Sequence, residues 1–414
     1  MPLTRLTKRE IFFLGLLLCA IFSGSLRKWF LLPSIFSHAV LGFQILLPWL
    51  FCLGFYPWNQ SKIYKYLFIH WLILLLLVLA PESCGIFHSI FGFLLHGGFW
   101  TGLFVFLANN NKVDWDKFYP VSLFILGLET ILAIFQYALP VEHSINQYAN
   151  FKAIGDIALM GESARVTGTF SYVSGLGSYI LFMSFQLWCN SLRPKYKPII
   201  LFFHEICLGI LALLNGSRAI IFAFILIWII SKISRGMPRL INFYSVLGFS
   251  FLLTSLWLFP WVNHFLFQPF INLSDRVVLN VASGEQTSRF ITPWENVIFF
   301  SSEKEWFGYG LGCTYQGANE LWGISANILR YGYFEEEMER ILIEGGWVLF
   351  MLKLLFIILF IALSNIPKWI NALLFILLLG YFPIVSNTYN SFFLLWGIIS
   401  LSSQYEQKNR FFYP

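Results

Sequence analysis

Long apolar segments alternate with short polar connections along almost the whole chain. Each segment has close to the roughly 20 residues that a helix needs to cross the hydrocarbon core of a bilayer. The pattern predicts twelve transmembrane helices, at residues 11–26, 35–56, 66–81, 86–108, 118–140, 169–190, 199–215, 217–232, 241–262, 343–364, 367–383 and 385–402. The expected fold is therefore an all-α polytopic membrane protein.

Composition agrees with this prediction and excludes several other classes. The chain has 414 residues, of which 58% are apolar and 12% charged. A soluble domain has about 25% charged residues. A soluble enzyme, a nucleic-acid binder and a disordered scaffold are therefore excluded, and membrane lipids are the expected surroundings.

The distribution of positive charge predicts the orientation in the membrane. Twelve spans place both termini on one side. If that side is the cytoplasm, the cytoplasmic segments carry 16 Lys and Arg residues and the opposite side carries 10, five of them in one long loop. Short loops rich in Lys and Arg stay in the cytoplasm. We therefore expect both termini inside, and the net charge of +6 is a topology signal that indicates no nucleic-acid partner.

Two predicted outer segments, 141–168 and 263–342, are longer than ordinary connections, and loops of this length usually carry function. The predicted organisation is transmembrane helices 1 to 9 in residues 1–262, a large outer loop with short helices in 263–342, and helices 10 to 12 with a cytoplasmic tail in 343–414. The chain has no phosphate-binding loop of an ATPase. The energy for any reaction must then come from the substrate or from a gradient.

Basic residues on the outer side lie mainly at the ends of spans, where they predict a phosphate-bearing ligand. The guanidinium group of Arg binds two phosphate oxygens at once. The alternative for each is a side chain that only extends to the interface. The candidates are Arg27 and Lys28 after the first span, Arg165 before the sixth, Arg218 at the start of the eighth, and Arg289 and Arg340 in the long loop.

Arg218 and Arg165 have the clearest local patterns. Arg218 follows the tight turn Asn215-Gly216-Ser217, so its charge lies at or just below the interface, where a charge is costly and usually functional. Arg165 precedes Gly168 and Thr169, and we expect Thr169 to cap the next helix.

An acidic run before the tenth span contains the candidate general base. On a helix, Glu336, Arg340 and Glu344 share one face. The run is either a ladder of salt bridges or a base beside a phosphate-binding arginine. If it is a base, Glu336 is preferred, with Glu335 and Glu337 as alternatives. The seven histidines show no metal-ligand spacing, so each is expected to be structural, and no metal or other cofactor is predicted.

Taken in order, several motifs resemble those of the bacterial O-antigen ligase and polysaccharide polymerase superfamily, which includes O-antigen and exopolysaccharide polymerases. The matching segments are Gly24-x-x-Arg27-Lys28-Trp29 with Pro33, Arg165-x-x-Gly168-x-Phe170, Ser217-Arg218, Arg289-x-x-x-x-Trp294, Trp306-x-Gly308-x-Gly310-x-Gly312 and Glu344-x-Gly346. They extend over most of the chain, and the resemblance depends on their order, their spacing and their predicted placement on the outer face together.

The resemblance implies an inverting, metal-independent glycosyltransferase with a C-type fold in the bacterial inner membrane. Its donor would be an undecaprenyl-pyrophosphate-linked oligosaccharide, used at the periplasmic face, and a chain-length regulator protein is a candidate partner. Family ligases place a His about ten residues before the position of Gly346, where this chain has Glu335 or Glu336. This difference favours a polymerase over a ligase that acts on the lipid A core of lipopolysaccharide.

Two other classes remain open: a polysaccharide flippase or other transporter, and a non-catalytic assembly partner. Transporters often place ionisable residues near the middle of the membrane, in broken helices within inverted repeats. Away from the span ends, the only charged residues within predicted spans are Glu129, Glu205 and Lys353, and no repeat is visible. The sequence therefore favours the enzyme.

Overall fold

The computed structural model describes residues 6–30, 34–56, 62–79, 85–109, 113–149, 157–192, 195–234, 306–331, 337–381 and 387–412, with short pieces at 268–269, 271–272 and 274–275. Within these ranges the helices are α1 (Lys8–Trp29), α2 (Ser34–Leu53), α3 (Ile63–Val78), α4 (Ile86–Ala108), α5 (Tyr119–Ala138), α6 (Val173–Leu192), α7 (Pro198–Asn215), α8 (Arg218–Ser234), α9 (Gln316–Trp322), α10 (Ala326–Tyr331), α11 (Glu337–Leu363), α12 (Lys368–Tyr381) and α13 (Thr388–Phe412). Short 3-10 helices at Trp115–Phe118 and Ser144–Asn146 and an antiparallel pair of strands, β1 (Leu159–Met160) and β2 (Ser163–Ala164), complete the described elements.

Eleven of the twelve predicted spans coincide with helices of the described ranges, and the span at 241–262 lies outside them. Six helical segments in these ranges are long and apolar enough to cross a membrane: Lys8–Trp29, Ile35–Leu53, Ile86–Ala108, Trp115–Ala138, Pro198–Asn215 and Glu337–Leu363. The protein is therefore an all-α membrane protein. Of the predicted loop 263–342, the described part contains the short helices α9 and α10.

The outer surface of the bundle is apolar. Phe68 of α3, Phe124 of α5 and Ile358 of α11 are each more than 60% exposed. Such large side chains would be unfavourable in water over so wide an area, and they indicate a surface that faces lipid.

Helices α6 and α13 form the centre of the bundle and pack along each other. Their polar side chains pair across the contact: Ser178 lies in hydrogen-bonding contact with Asn390, and Gln186 donates to the hydroxyl of Ser400 at 3.3 Å. Buried polar side chains with partners of this kind tie membrane helices together. This explains why these two helices are less apolar than lipid-facing helices such as α3 and α5.

One end of the bundle, here called the Glu10 end, joins three of the predicted cytoplasmic segments. Thr7 and Glu10 cap the start of α1, with the Glu10 carboxylate 2.7 Å from the Thr7 nitrogen. Lys117 lies 2.8 Å from the same carboxylate, and Lys195 pairs with Asp116. The opposite end, where α1 finishes and α8 begins, is called the Arg27 end.

Candidate functional site

An irregular segment at the Arg27 end, residues 165–171, lies among α1, α5, α13 and the turn between α7 and α8. The last turns of α1 touch it directly, because a Cβ atom added to Gly24 would lie only 2.4 Å from the backbone nitrogen of Ser171. The prediction that Thr169 caps α6 is wrong, since α6 begins at Val173. The Thr169 hydroxyl instead lies 2.5 Å from Glu129 Oε1 and 3.0 Å from the carbonyl oxygen of Ile21.

Arg27, in the last turn of α1, is buried, with 7% of its surface exposed. Its Nε donates to the Ser37 hydroxyl at 3.2 Å and one terminal nitrogen donates to the Ser171 hydroxyl at 3.4 Å. In the part of the chain that the structure describes, these hydroxyl groups are its partners and no carboxylate pairs with it. A buried charge is costly unless an opposite charge accompanies it. Arg27 is thus a cation that an anionic ligand would stabilise.

Lys28, the next residue, is also buried but has different hydrogen-bond partners and a nearby carboxylate. Its ammonium group donates to the Thr167 hydroxyl at 2.6 Å and to the Gly168 carbonyl oxygen at 2.8 Å. The Glu129 carboxylate, which accepts a hydrogen bond from the Thr169 nitrogen at 3.0 Å, supplies a nearby opposite charge. Lys28 and Glu129 together therefore hold segment 165–171 from two sides.

Gln136 of α5 also fixes this segment, and sequence reasoning missed it. Its side-chain oxygen accepts hydrogen bonds from the nitrogens of Thr167 and Gly168 at 3.1 and 2.8 Å, and its amide nitrogen donates to the Ile145 carbonyl oxygen at 2.8 Å. A single amide in an apolar span has no motif. The only indication in the sequence was the high free energy of an amide side chain in lipid, because such a side chain needs hydrogen-bond partners inside the protein.

Arg165 connects segment 165–171 to the turn that leads into α8. Its Nε donates to the Asn215 carbonyl oxygen at 3.0 Å, and Arg218 is the first residue of α8. Both arginine side chains are half-buried. The Tyr148 hydroxyl donates to the Arg165 carbonyl oxygen at 3.2 Å, and burial raises the pKa of Tyr148 to about 12, so this phenol is neutral at physiological pH. The two predicted arginines therefore flank one turn.

A second cluster forms where α11 is interrupted at Gly346. The φ angle there is 58°, and a Cβ atom would lie 2.5 Å from the backbone of Trp306, so only glycine fits. The interruption frees the carbonyl oxygens of Ile343 and Glu344, which accept hydrogen bonds from the backbone nitrogens of Tyr309 and Gly310 at 2.7 and 3.1 Å. The predicted Gly-x-Gly run thus docks on the broken helix.

The Glu344 carboxylate is the centre of this second cluster. Its Oε2 is 2.8 Å from His96 Nε2 and accepts from the Gly312 nitrogen at 2.8 Å. Its Oε1 accepts from the nitrogen and the hydroxyl of Thr314 at 3.1 and 2.5 Å. Arg340 lies within electrostatic range of Glu344 and of the buried Glu337.

The two clusters meet at the beginning of α2. Ser37 contacts Arg27, and Leu41 lies one turn further along the same helix. Leu41 touches the start of α9, where a Cβ on Gly317 would be 3.2 Å from its Cδ2 atom. Gly317 follows Thr314 by three residues, so contacts through the first turns of α2 connect the Arg27 cluster to the segment that Glu344 holds.

The predicted site residues are distributed as follows. Arg27, Lys28, Arg165 and Arg218 gather on segment 165–171 and the adjoining turn, while Arg340 and Glu337 belong to the cluster around Glu344. Arg289, Glu335 and Glu336 lie outside the described residues. No group of three or more metal-ligating side chains that could hold a metal ion occurs within the described ranges.

Comparison of the chain with models of known protein families and with curated protein sequences finds no match.

Proposed function

We propose that the protein is an inverting, metal-independent glycosyltransferase that polymerises a polysaccharide at the periplasmic face of the bacterial inner membrane. It transfers a growing glycan from undecaprenyl pyrophosphate to a lipid-linked repeat unit. The proposal combines the resemblance of the ordered motifs with the positions of their residues. Within the described ranges, motif residues that are far apart in the sequence lie in two clusters, one around Arg27 and one around Glu344.

The single observation that carries the proposal is the environment of Arg27. Its guanidinium group is buried with hydroxyl partners and has no carboxylate partner among the described residues. A pyrophosphate group would supply the missing negative charge and could accept two parallel hydrogen bonds from the guanidinium fork. Arg165, in the same segment, and Arg218, at the adjoining turn, would bind further oxygens of the same group.

In the proposed reaction, a hydroxyl oxygen of the acceptor sugar forms a bond to the anomeric carbon of the donor. The bond from that carbon to the pyrophosphate oxygen breaks, and undecaprenyl pyrophosphate leaves with the electron pair. The arginines stabilise the charge that develops on the leaving oxygen. A carboxylate takes the proton of the acceptor hydroxyl, and attack from the opposite face inverts the anomeric configuration.

Substitution of Arg165 and Arg218 tests this assignment. We expect Arg165→Ala and Arg218→Ala each to lose a charge-assisted contact of about 2 to 3 kcal/mol, which is roughly a 30- to 160-fold loss of polymerisation rate. Arg218→Lys should recover only part of it, because an ammonium group cannot form the bidentate contact. The measurement is polymer formed at matched protein levels, and Lys65→Ala, at an exposed position on α3, is the control. Parental polymer output from both Ala variants would contradict the assignment.

The base is proposed to lie within Glu335 to Glu337, with Glu336 preferred. Glu337 is the described member, buried and close enough to Arg340 for electrostatic interaction. We expect Glu336→Gln to abolish polymer while binding of the glycolipid survives, because the amide keeps the shape and loses the proton acceptor. General base catalysis contributes roughly 100-fold or more. In the salt-bridge interpretation the same change costs only a few tenths of a kcal/mol. Normal polymer from both Glu336→Gln and Glu337→Gln would contradict the assignment of the general base to these glutamates.

A transporter is the second candidate, and one observation favours it. Helix α11 is broken at Gly346, and the buried Lys353 follows within the same helix. Broken helices and buried ionisable residues are typical of substrate sites in transporters. A transporter would move repeat units across the membrane without joining them, so the two functions differ in the glycolipids that accumulate when the protein is absent.

A further inference from the structure

His96 of α4 lies between the interior of the bundle and the docked segment 306–314. Its backbone carbonyl oxygen accepts a hydrogen bond from the Lys353 ammonium group at 2.8 Å, and its Nε2 contacts Glu344 at 2.8 Å. The side chains of His96 and Glu344 are 4% and 5% exposed. This contact joins α4 to the broken part of α11.

The proton in this contact belongs to His96. Glu344 already accepts hydrogen bonds from Gly312 and twice from Thr314. A carboxylate with three donors around it remains ionised and acts as an acceptor, so His96 Nε2 is the fourth donor. The Nδ1 atom of His96 is buried without a hydrogen-bond partner among the described residues. The ring is therefore held through Nε2 alone.

The chain of contacts continues from Glu344 to Arg340. The two Glu344 oxygens hold Gly312 and Thr314, and a terminal nitrogen of Arg340 donates to the Thr314 carbonyl oxygen at 3.5 Å. Moving the backbone of Thr314 would thus move one acceptor of the guanidinium group.

We infer that His96 is a positioning residue for Arg340, acting through Glu344 and Thr314. The inference rests on the proposed function, together with the prediction from the sequence that Arg340 is one of the arginines that bind the pyrophosphate of the donor. His96 keeps segment 306–314 docked on α11, and the docked segment keeps Arg340 aimed at the site.

Cys313 reports the docking step without any assay of activity. This residue lies between the two that Glu344 holds, and its side chain is completely buried. In a variant where Cys313 is the only cysteine, a maleimide reagent reacts with it only when the segment lifts away. The five cysteines to be replaced by alanine are Cys19, Cys52, Cys84, Cys189 and Cys207.

We expect His96→Leu to raise the rate of Cys313 labelling roughly tenfold, because one charge-assisted hydrogen bond is lost. His96→Gln should return the rate toward that of the parent, since the amide nitrogen of Gln can replace Nε2. His204→Leu is the control, because His204 is buried on α7 and contacts Tyr119 instead. An unchanged labelling rate in His96→Leu and in Glu344→Gln would overturn the inference.

The second readout is the KM for a lipid-pyrophosphate donor. His96→Leu should raise KM roughly tenfold, in the same range as Arg340→Ala, with a smaller effect on kcat, and the double variant should be no worse than Arg340→Ala alone. Additive effects would show that His96 does not act through Arg340 and would overturn the inference. If the parent protein turns over no donor, the proposed function fails, and the role of Arg340 in donor binding fails with it. The labelling rates still decide whether His96 keeps segment 306–314 docked on α11.

Discussion

Arg27→Ala is expected to abolish polymer synthesis while leaving the protein folded. The variant removes a buried cation that has only hydroxyl partners among the described residues, so no buried carboxylate is left unpaired. The lost contacts to pyrophosphate are worth about 3 kcal/mol or more, which corresponds to roughly a 100-fold decrease in rate. Arg27→Lys should restore activity only in part, because the point charge of Lys lacks the bidentate geometry.

The measurement is the rate of glycan transfer by purified protein, with Arg9→Ala as the matched control. Arg9 belongs to the same helix and donates to a backbone oxygen, that of Tyr56 at 3.0 Å, at the opposite end of the bundle. Parental rates in Arg27→Ala would show that this guanidinium group has no part in binding the leaving group.

The second large effect concerns the Lys28 and Glu129 pair, and it should appear in stability. Lys28→Met leaves the Glu129 carboxylate buried without its nearby positive charge, a change that costs about 3 to 5 kcal/mol. The double variant Lys28→Met with Glu129→Gln should recover most of this loss. In that variant the Gln side chain can still accept from the Thr169 nitrogen and can donate to the Thr169 hydroxyl, which already has the Ile21 carbonyl oxygen as acceptor.

The thermal unfolding midpoint in detergent measures both variants. Lys232→Met is the control, because its pair with Glu205 is partly exposed and should contribute at most about 1 kcal/mol. A double variant as unstable as Lys28→Met would contradict the pairing. Polymer synthesis by the double variant separates two roles: retained activity means that Lys28 supports segment 165–171, whereas a stable but inactive protein means that Lys28 binds pyrophosphate as the sequence predicted.

The helices could be predicted from hydropathy because lipid imposes both their length and their composition. The end of the first span was less predictable. The first span was predicted to stop at residue 26, since charges usually mark the interface, but α1 continues to Trp29. It can do so because Arg27 and Lys28 have hydrogen-bond acceptors inside the protein: Ser171 for Arg27, and Thr167 and Gly168 for Lys28.

The sequence predicts basic residues for the candidate site but does not predict the polar residues that hold segment 165–171 and Glu344 in place. Gln136 and His96 are isolated polar side chains in apolar helices, and their partners are distant in the sequence, as with His96 and Glu344. A pairing of this kind depends on tertiary packing, which no local pattern encodes. The sequence did contain a signal for the break in α11. Gly345 and Gly346 are adjacent within a predicted span, and two glycines there favour an interrupted helix.

Environment also distinguishes residues that the sequence treats alike. Arg27 and Lys28 are adjacent basic residues with the same predicted role, yet Lys28 lies near Glu129 while Arg27 has only hydroxyl partners in the described ranges. The difference depends on which face of α1 is turned toward Glu129, which is a property of the folded bundle.

The most direct test of the central proposal is the glycolipid content of cells that lack this protein. A polymerase that uses a lipid-pyrophosphate donor should leave single repeat units on the lipid carrier at the periplasmic face, and the parental gene, but not the Arg27→Ala variant, should restore long chains. Repeat units confined to the cytoplasmic face would identify a transporter, and long chains still attached to the carrier would identify a ligase. Either of these two results would contradict the proposed polymerase.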